Sequence, residues 1–126
     1  MTLLNTSLIR KSILFLAAVM LSFSAMAADF NQMQQLANQG IAEAQFNLGL
    51  KYNNGEGVRQ DYSKAVQWYE KAANQGYASA QSNLGVMYYN GKGVRQNTAT
   101  AKEWFGKACD NGNQNGCDGY RILNQR

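Results

Sequence analysis

The chain has 126 residues, 45% of them hydrophobic, a size that holds one small domain. It carries twelve Lys and Arg against eight Asp and Glu, two cysteines, no proline and no histidine. The missing histidine removes the commonest general base and the commonest metal ligand together. Two cysteines allow one disulfide at most, and the modest charge excludes a nucleic-acid footprint.

Residues 1–27 read as a secretory signal peptide. Arg10 and Lys11 give the positive start, Ser12 to Phe23 the apolar run, and Ala25-Met26-Ala27 a small-x-small cleavage site. The run is shorter than the roughly 20 residues that span a bilayer, so cleavage after Ala27 is expected rather than membrane anchoring. The mature chain, 28–126, would be periplasmic or secreted, with no stable membrane insertion. Loss of Arg10 and Lys11 leaves ten basic against eight acidic residues, a net charge of +2.

Six helices are expected, at about 30–39, 42–53, 62–75, 78–89, 98–110 and 114–123. The first belongs to a half-repeat, 29–40. Residues 41–76 and 77–112 then align without a gap, 18 of 36 positions being identical. A second half-repeat, 113–126, closes the chain. In the first helix of repeat 1, Ala44, Leu48 and Tyr52 fall on one face. Gly49 and Gly85 sit inside helices, where glycine costs about 1 kcal/mol relative to alanine, so a neighbouring helix should approach closely there. Asn-Gly-x-Gly-Val at 54–58 and 90–94 ends each first helix, with Val58 and Val94 plugging the loop into the core. Asp61 and Asn97 stand as N-caps of the second helices. There Ala65, Trp68 and Ala72, with Ala101, Trp104 and Ala108, alternate small and large side chains for stacking. No helix pair buries its apolar face alone, so the pairs stack into a solenoid.

The run AEAQFNLGLKYNNGEGVRQDYSKAVQWYEKAANQG resembles a Sel1-like repeat, the 36-residue relative of the tetratricopeptide repeat. The resemblance rests on Ala44-Gln45, Leu48-Gly49, Tyr52, Gly55-x-Gly57-Val58, Asp61, Ala65, Trp68-Tyr69 and Ala72-Ala73. Most recur 36 residues on; Asn97 and Thr98-Ala99-Thr100 depart from the pattern. The resemblance implies an all-α fold, a short right-handed α/α superhelix whose first helices line a concave surface. It also implies an adaptor or binding role.

Cys109 closes the second helix of repeat 2 and Cys117 opens the last helix. In an exported chain a disulfide between them is the natural reading. A metal site would need more ligands, and a redox pair would prefer Cys-x-x-Cys. The ACDNGNQNGC segment also resembles the cysteine-rich branch of Sel1-like proteins, where a pair at this spacing bridges adjacent helices; Ala73 and Gln81 occupy the matching places in repeat 1.

No catalytic, cofactor or metal constellation is legible. Gly55-x-Gly57 and Gly91-x-Gly93 follow helices and lack a third glycine, so they read as turns. Some cysteine-rich relatives carry a β-lactamase label, but no Ser-x-x-Lys occurs here. Glu43, Glu56, Asp61, Glu70 and Glu103 are scattered over helix surfaces and starts.

A protein or peptide partner on a monomeric concave face is therefore the expected function. A β-lactamase-like enzyme and an inhibitor or immunity-type binder are the alternatives. Positions identical in both repeats should be scaffold, and first-helix positions that differ are free to carry specificity. Glu43, Phe46, Leu50, Lys51 and Asn53 become Ser79, Ser82, Val86, Met87 and Tyr89. Candidate contacts are Phe46, Asn47, Leu50, Lys51, Ser82, Asn83, Val86 and Tyr89. Related repeats use an asparagine at the place of Asn47 and Asn83 to hold a peptide carboxylate; the alternative is a hydrogen bond bracing neighbouring helices.

Overall fold

A computed structural model describes residues 2–125; the side chains of residues 2–8, 15, 18 and 21–24 lie outside that description, and with them part of the leader-like apolar run. The described residues form six helices and no strand: α1 (Thr2–Asn38), α2 (Ala42–Asn54), α3 (Tyr62–Ala73), α4 (Ala78–Asn90), α5 (Thr98–Asp110) and α6 (Gln114–Asn124). α2 to α6 match the expected helices within two residues. α1 starts far earlier than residue 30, because the leader-like run is itself unbroken by glycine or proline and satisfies its backbone as helix.

The chain divides into two units, Met1–Gln32 and Met33–Arg126. In the first, Ile9, Ile13, Leu14, Leu16, Val19, Met20 and Met26 are all exposed. Among the described residues, no helix is long and apolar enough to cross a membrane.

The second unit is a solenoid of helical hairpins. α2 packs on α3 and α4 on α5 within the repeats; α3 packs on α4 between them, and α6 closes on α5 and touches α4. Each first helix ends at a glycine in the left-handed region, Gly55 (φ 69°) and Gly91 (φ 66°). Their N–H groups bond the carbonyls of Lys51 and Met87, which the helix would otherwise leave unpaired. Each second helix starts at a side-chain cap. Asp61 accepts from the Lys64 N–H and Asn97 from the Thr100 N–H, both at 3.0 Å, so the change of residue leaves the cap geometry alike.

The core runs through both repeats as Ala65, Val66, Tyr69, Ala72, Ala73, Ala80, Leu84 and Met87, continued by Ala101, Phe105 and Leu123. Tyr69, Leu48 and Leu84 are its largest fully buried side chains. The large member of each second helix is therefore Tyr69 or Phe105. Trp68 and Trp104, one residue earlier, are only half-buried, under the ammonium groups of Lys71 (4.2 Å) and Lys107 (4.5 Å). The ring at 69 or 105 explains the mid-helix glycines. A Cβ on Gly49 would lie 2.6 Å from the Tyr69 ring, and one on Gly85 would lie 2.6 Å from the Phe105 ring.

Candidate functional site

Successive repeats are held by buried amides. Gln45 donates to the Ala37 carbonyl (3.1 Å) and accepts from Gln75 (2.8 Å). Thirty-six residues on, Gln81 donates to the Ala73 carbonyl (3.0 Å) and accepts from Asn111 (2.9 Å). Each glutamine is buried and satisfied at both ends, as a buried amide must be to avoid a net cost. Sequence reasoning missed this role; the signal was that Ala-Gln stands at 44–45 and again at 80–81. A further link joins the repeats where Tyr88 donates to the Glu70 carboxylate at 3.2 Å. Burial, then the Glu70 charge and this bond, hold the Tyr88 phenol above its usual pKa.

The candidate contacts on α2 and α4 differ in how much surface they keep. On α2, Phe46, Asn47, Leu50 and Lys51 are half-buried. Phe46 is wedged between repeats, its ring centroid 5.8 Å from that of Tyr69 and 5.1 Å from that of Tyr77. Leu50 leans on the core with part of its side chain outside. On α4, Ser82 is buried, Asn83 and Tyr89 are half-buried, and Val86 is 45% exposed. Tyr89 lies with Tyr88 against Ala101, Phe105 and Leu123.

Burial raises the Tyr69 phenol above its usual pKa, and the approach of Asn83 to its hydroxyl acts in the opposite direction without overturning it. The approach falls short of hydrogen-bond geometry, and among the described residues the buried hydroxyl has no partner.

Cys109 and Cys117 are joined by a disulfide, with Cα atoms 4.4 Å apart, tying α5 to α6. Gly116 makes the crossing possible, since a Cβ there would meet Ala108 and the Cys109 backbone. Asn113 caps α6, accepting from the Gly116 N–H at 2.9 Å. Among the described residues, no three His, Cys, Asp or Glu side chains gather as metal ligands.

The family model described as Sel1 repeat matches residues 42–77 and 78–113. Three solved structures are similar. A protective antigen of uropathogenic Escherichia coli displaying an SLR fold is 48% identical, with a TM-score of 0.67 over 68% of this chain and 18% of that one. A Sel1 repeat protein from Oxalobacter formigenes is 34% identical, with a TM-score of 0.72 over 75% of this chain and 39% of that one. The cysteine rich protein B of Helicobacter pylori is 32% identical, with a TM-score of 0.68 over 71% of this chain and 67% of that one. The chain thus spans less than half the length of the first two. No curated protein sequence matches it.

Proposed function

Since the chain belongs to the Sel1 repeat family, we propose that it is an exported interaction module that docks a protein or peptide on the concave face made by its first helices. One observation carries the reading: four buried first-helix positions are kept between the repeats while most differing positions keep surface, with Asn47 and Asn83 identical and half-buried. Ala44, Gln45, Leu48 and Gly49 recur as Ala80, Gln81, Leu84 and Gly85, and all eight are buried. Of the differing positions, Glu43, Phe46, Leu50, Lys51, Asn53, Ser79, Val86 and Tyr89 keep surface, while Ser82 and Met87 are the buried exceptions. Invariant scaffold beneath a variable surface is the pattern of a solenoid that specialises by what it holds.

The reading is of binding without turnover, by a monomer and without a cofactor; no histidine and no Ser-x-x-Lys are present to support hydrolysis. Export is supported by the leader pattern of residues 1–27 and by the Cys109–Cys117 bond, since disulfides persist in oxidising compartments. The functional protein is then residues 28–126, periplasmic or secreted. The test has two parts. N-terminal sequencing of the exported protein is expected to begin at Ala28, and an intact Met1 start would contradict export by cleavage. Affinity capture is expected to recover one partner that is lost with Asn47→Ala, Lys51→Ala or Tyr89→Ala in folded protein. Capture indifferent to all three would contradict the assigned face.

A further inference from the structure

The turns that lead into α2, α4 and α6 are built alike. The N–H groups of Gly40, Gly76 and Gly112 donate to the carbonyls of Ala37, Ala73 and Cys109, each at 3.0 Å. The helix that follows then places residues 45, 81 and 117 alike, their N–H groups bonding the carbonyls of Ile41, Tyr77 and Asn113. At 45 and 81 a glutamine reaches back eight residues and donates to the Ala37 or the Ala73 carbonyl. At 117 stands a cysteine, and it reaches back the same eight residues to the side chain of Cys109. The carbonyl that would accept an amide is in place at 109, and the residue that would supply the amide is replaced.

We propose that the disulfide is the brace of the last seam in covalent form, so that oxidation closes α6 onto α5 while the two earlier seams close without it. Two glycines fit α6 to the shorter brace. Gly116 occupies the place of Ala44 and Ala80, and a Cβ there would lie 2.5 Å from that of Ala108 and 2.9 Å from the Cys109 nitrogen. Gly119 occupies the place of Asn47 and Asn83, and a Cβ there would lie 2.7 Å from the Phe105 ring. Disulfides join Cα atoms about 4.4–6.8 Å apart, and here the separation is 4.4 Å, at the close end. A glutamine side chain is longer than a cysteine's, and the seams it braces hold the buried methyl groups of Ala44 and Ala80.

The closing step is thiol–disulfide exchange. The two thiols give up two protons and two electrons to the disulfide of an oxidant, through a mixed disulfide, leaving one S–S bond here and two thiols on the oxidant. Such oxidants act in oxidising compartments, so the last seam closes after export while repeats 1 and 2 need no oxidant. That timing rests on the export reading; the equivalence of the two braces does not, and it is tested on purified protein. The effect reaches the candidate face, because α6 supplies Leu123, buried with Ala101 and Phe105, and Tyr89 packs on that cluster.

The test is native-state hydrogen exchange read by mass spectrometry on the purified full chain, treated with oxidised glutathione or with dithiothreitol. Reduction is expected to speed exchange in α6 about thirtyfold and to leave α2 and α3 unchanged. Cys109→Ala with Cys117→Gln restores the amide brace. Its α6 is expected to exchange about fivefold more slowly than that of Cys109→Ala with Cys117→Ala, and equally with and without dithiothreitol. Equal exchange in these two variants overturns the equivalence, as does a reduction effect in the unaltered chain spread evenly over all helices. The converse needs no change in α6. Ala73→Cys with Gln81→Cys is expected to bridge fully only when Ala80→Gly is added, scored by mass after alkylation. Equal bridging with and without Ala80→Gly, or none in either, also overturns it.

Discussion

Replacing Tyr69 by phenylalanine removes one oxygen from the centre of the solenoid. Tyr69 is 1% exposed, and its hydroxyl has no partner among the described residues. Burying an unsatisfied hydroxyl costs about 1–3 kcal/mol. The variant gives up the approach of Asn83, worth about 0.5–1.5 kcal/mol even were it a full hydrogen bond. The ring's contacts with Gly49 and Phe46 are retained. The equivalent position in repeat 2 is Phe105, already packed against Gly85 in the same way. Tyr69→Phe is therefore expected to stabilise the protein by about 1 kcal/mol, raising the melting temperature by about 4–8 °C for a unit of this size. Thermal and urea unfolding followed by far-UV circular dichroism measure it, with the urea slope unchanged. A loss of 1 kcal/mol or more would refute the reasoning, because it would mean that the hydroxyl is well satisfied in the folded protein.

Gly85→Ala gains about 1 kcal/mol of helix propensity but drives a Cβ into the buried Phe105 ring; with overpacking costing about 1–3 kcal/mol, a lower urea midpoint is expected, and an unchanged one would deny the close approach. Reducing Cys109–Cys117, or replacing both by serine, is expected to cost about 2–3 kcal/mol. Hydrogen exchange should then rise across α6 first, leaving α2 and α3 protected; uniform loss of protection would contradict a local staple. Burial raises the Tyr69 and Tyr88 phenols in the fold, so the folded state holds these protons more tightly than the unfolded chain. Stability from this source is complete below the unfolded tyrosine pKa near 10 and falls as pH rises beyond it. Urea midpoints at pH 8 and pH 11 should show the drop, and a Tyr69→Phe, Tyr88→Phe variant should flatten it.

The helices and their period were legible because hydrophobic spacing, glycine turns and caps all repeat at 36 residues. α1 is the exception: the residues that carry the leader pattern also lack glycine and proline, and the helix runs on through them. Periodicity also could not choose between adjacent rings. Trp68 and Tyr69 both recur as aromatics, and only the approach of Gly49 decides which one enters the core. The glutamine braces were visible as identities, yet a polar residue next to an apolar face reads as surface until its carbonyl partner, eight residues back, is placed. The outer face was the least legible part. Phe46 differs between the repeats and so reads as a specificity position, while the structure wedges it between Tyr69 and Tyr77.

The most direct test of the docking face is photocrosslinking in the exporting cell, with benzoylphenylalanine placed at Val86 on α4 or at the exposed Gln67 on α3. The account predicts one discrete heteromolecular adduct from position 86 and none from position 67. No adduct at 86, or the same adduct from both positions, would contradict it.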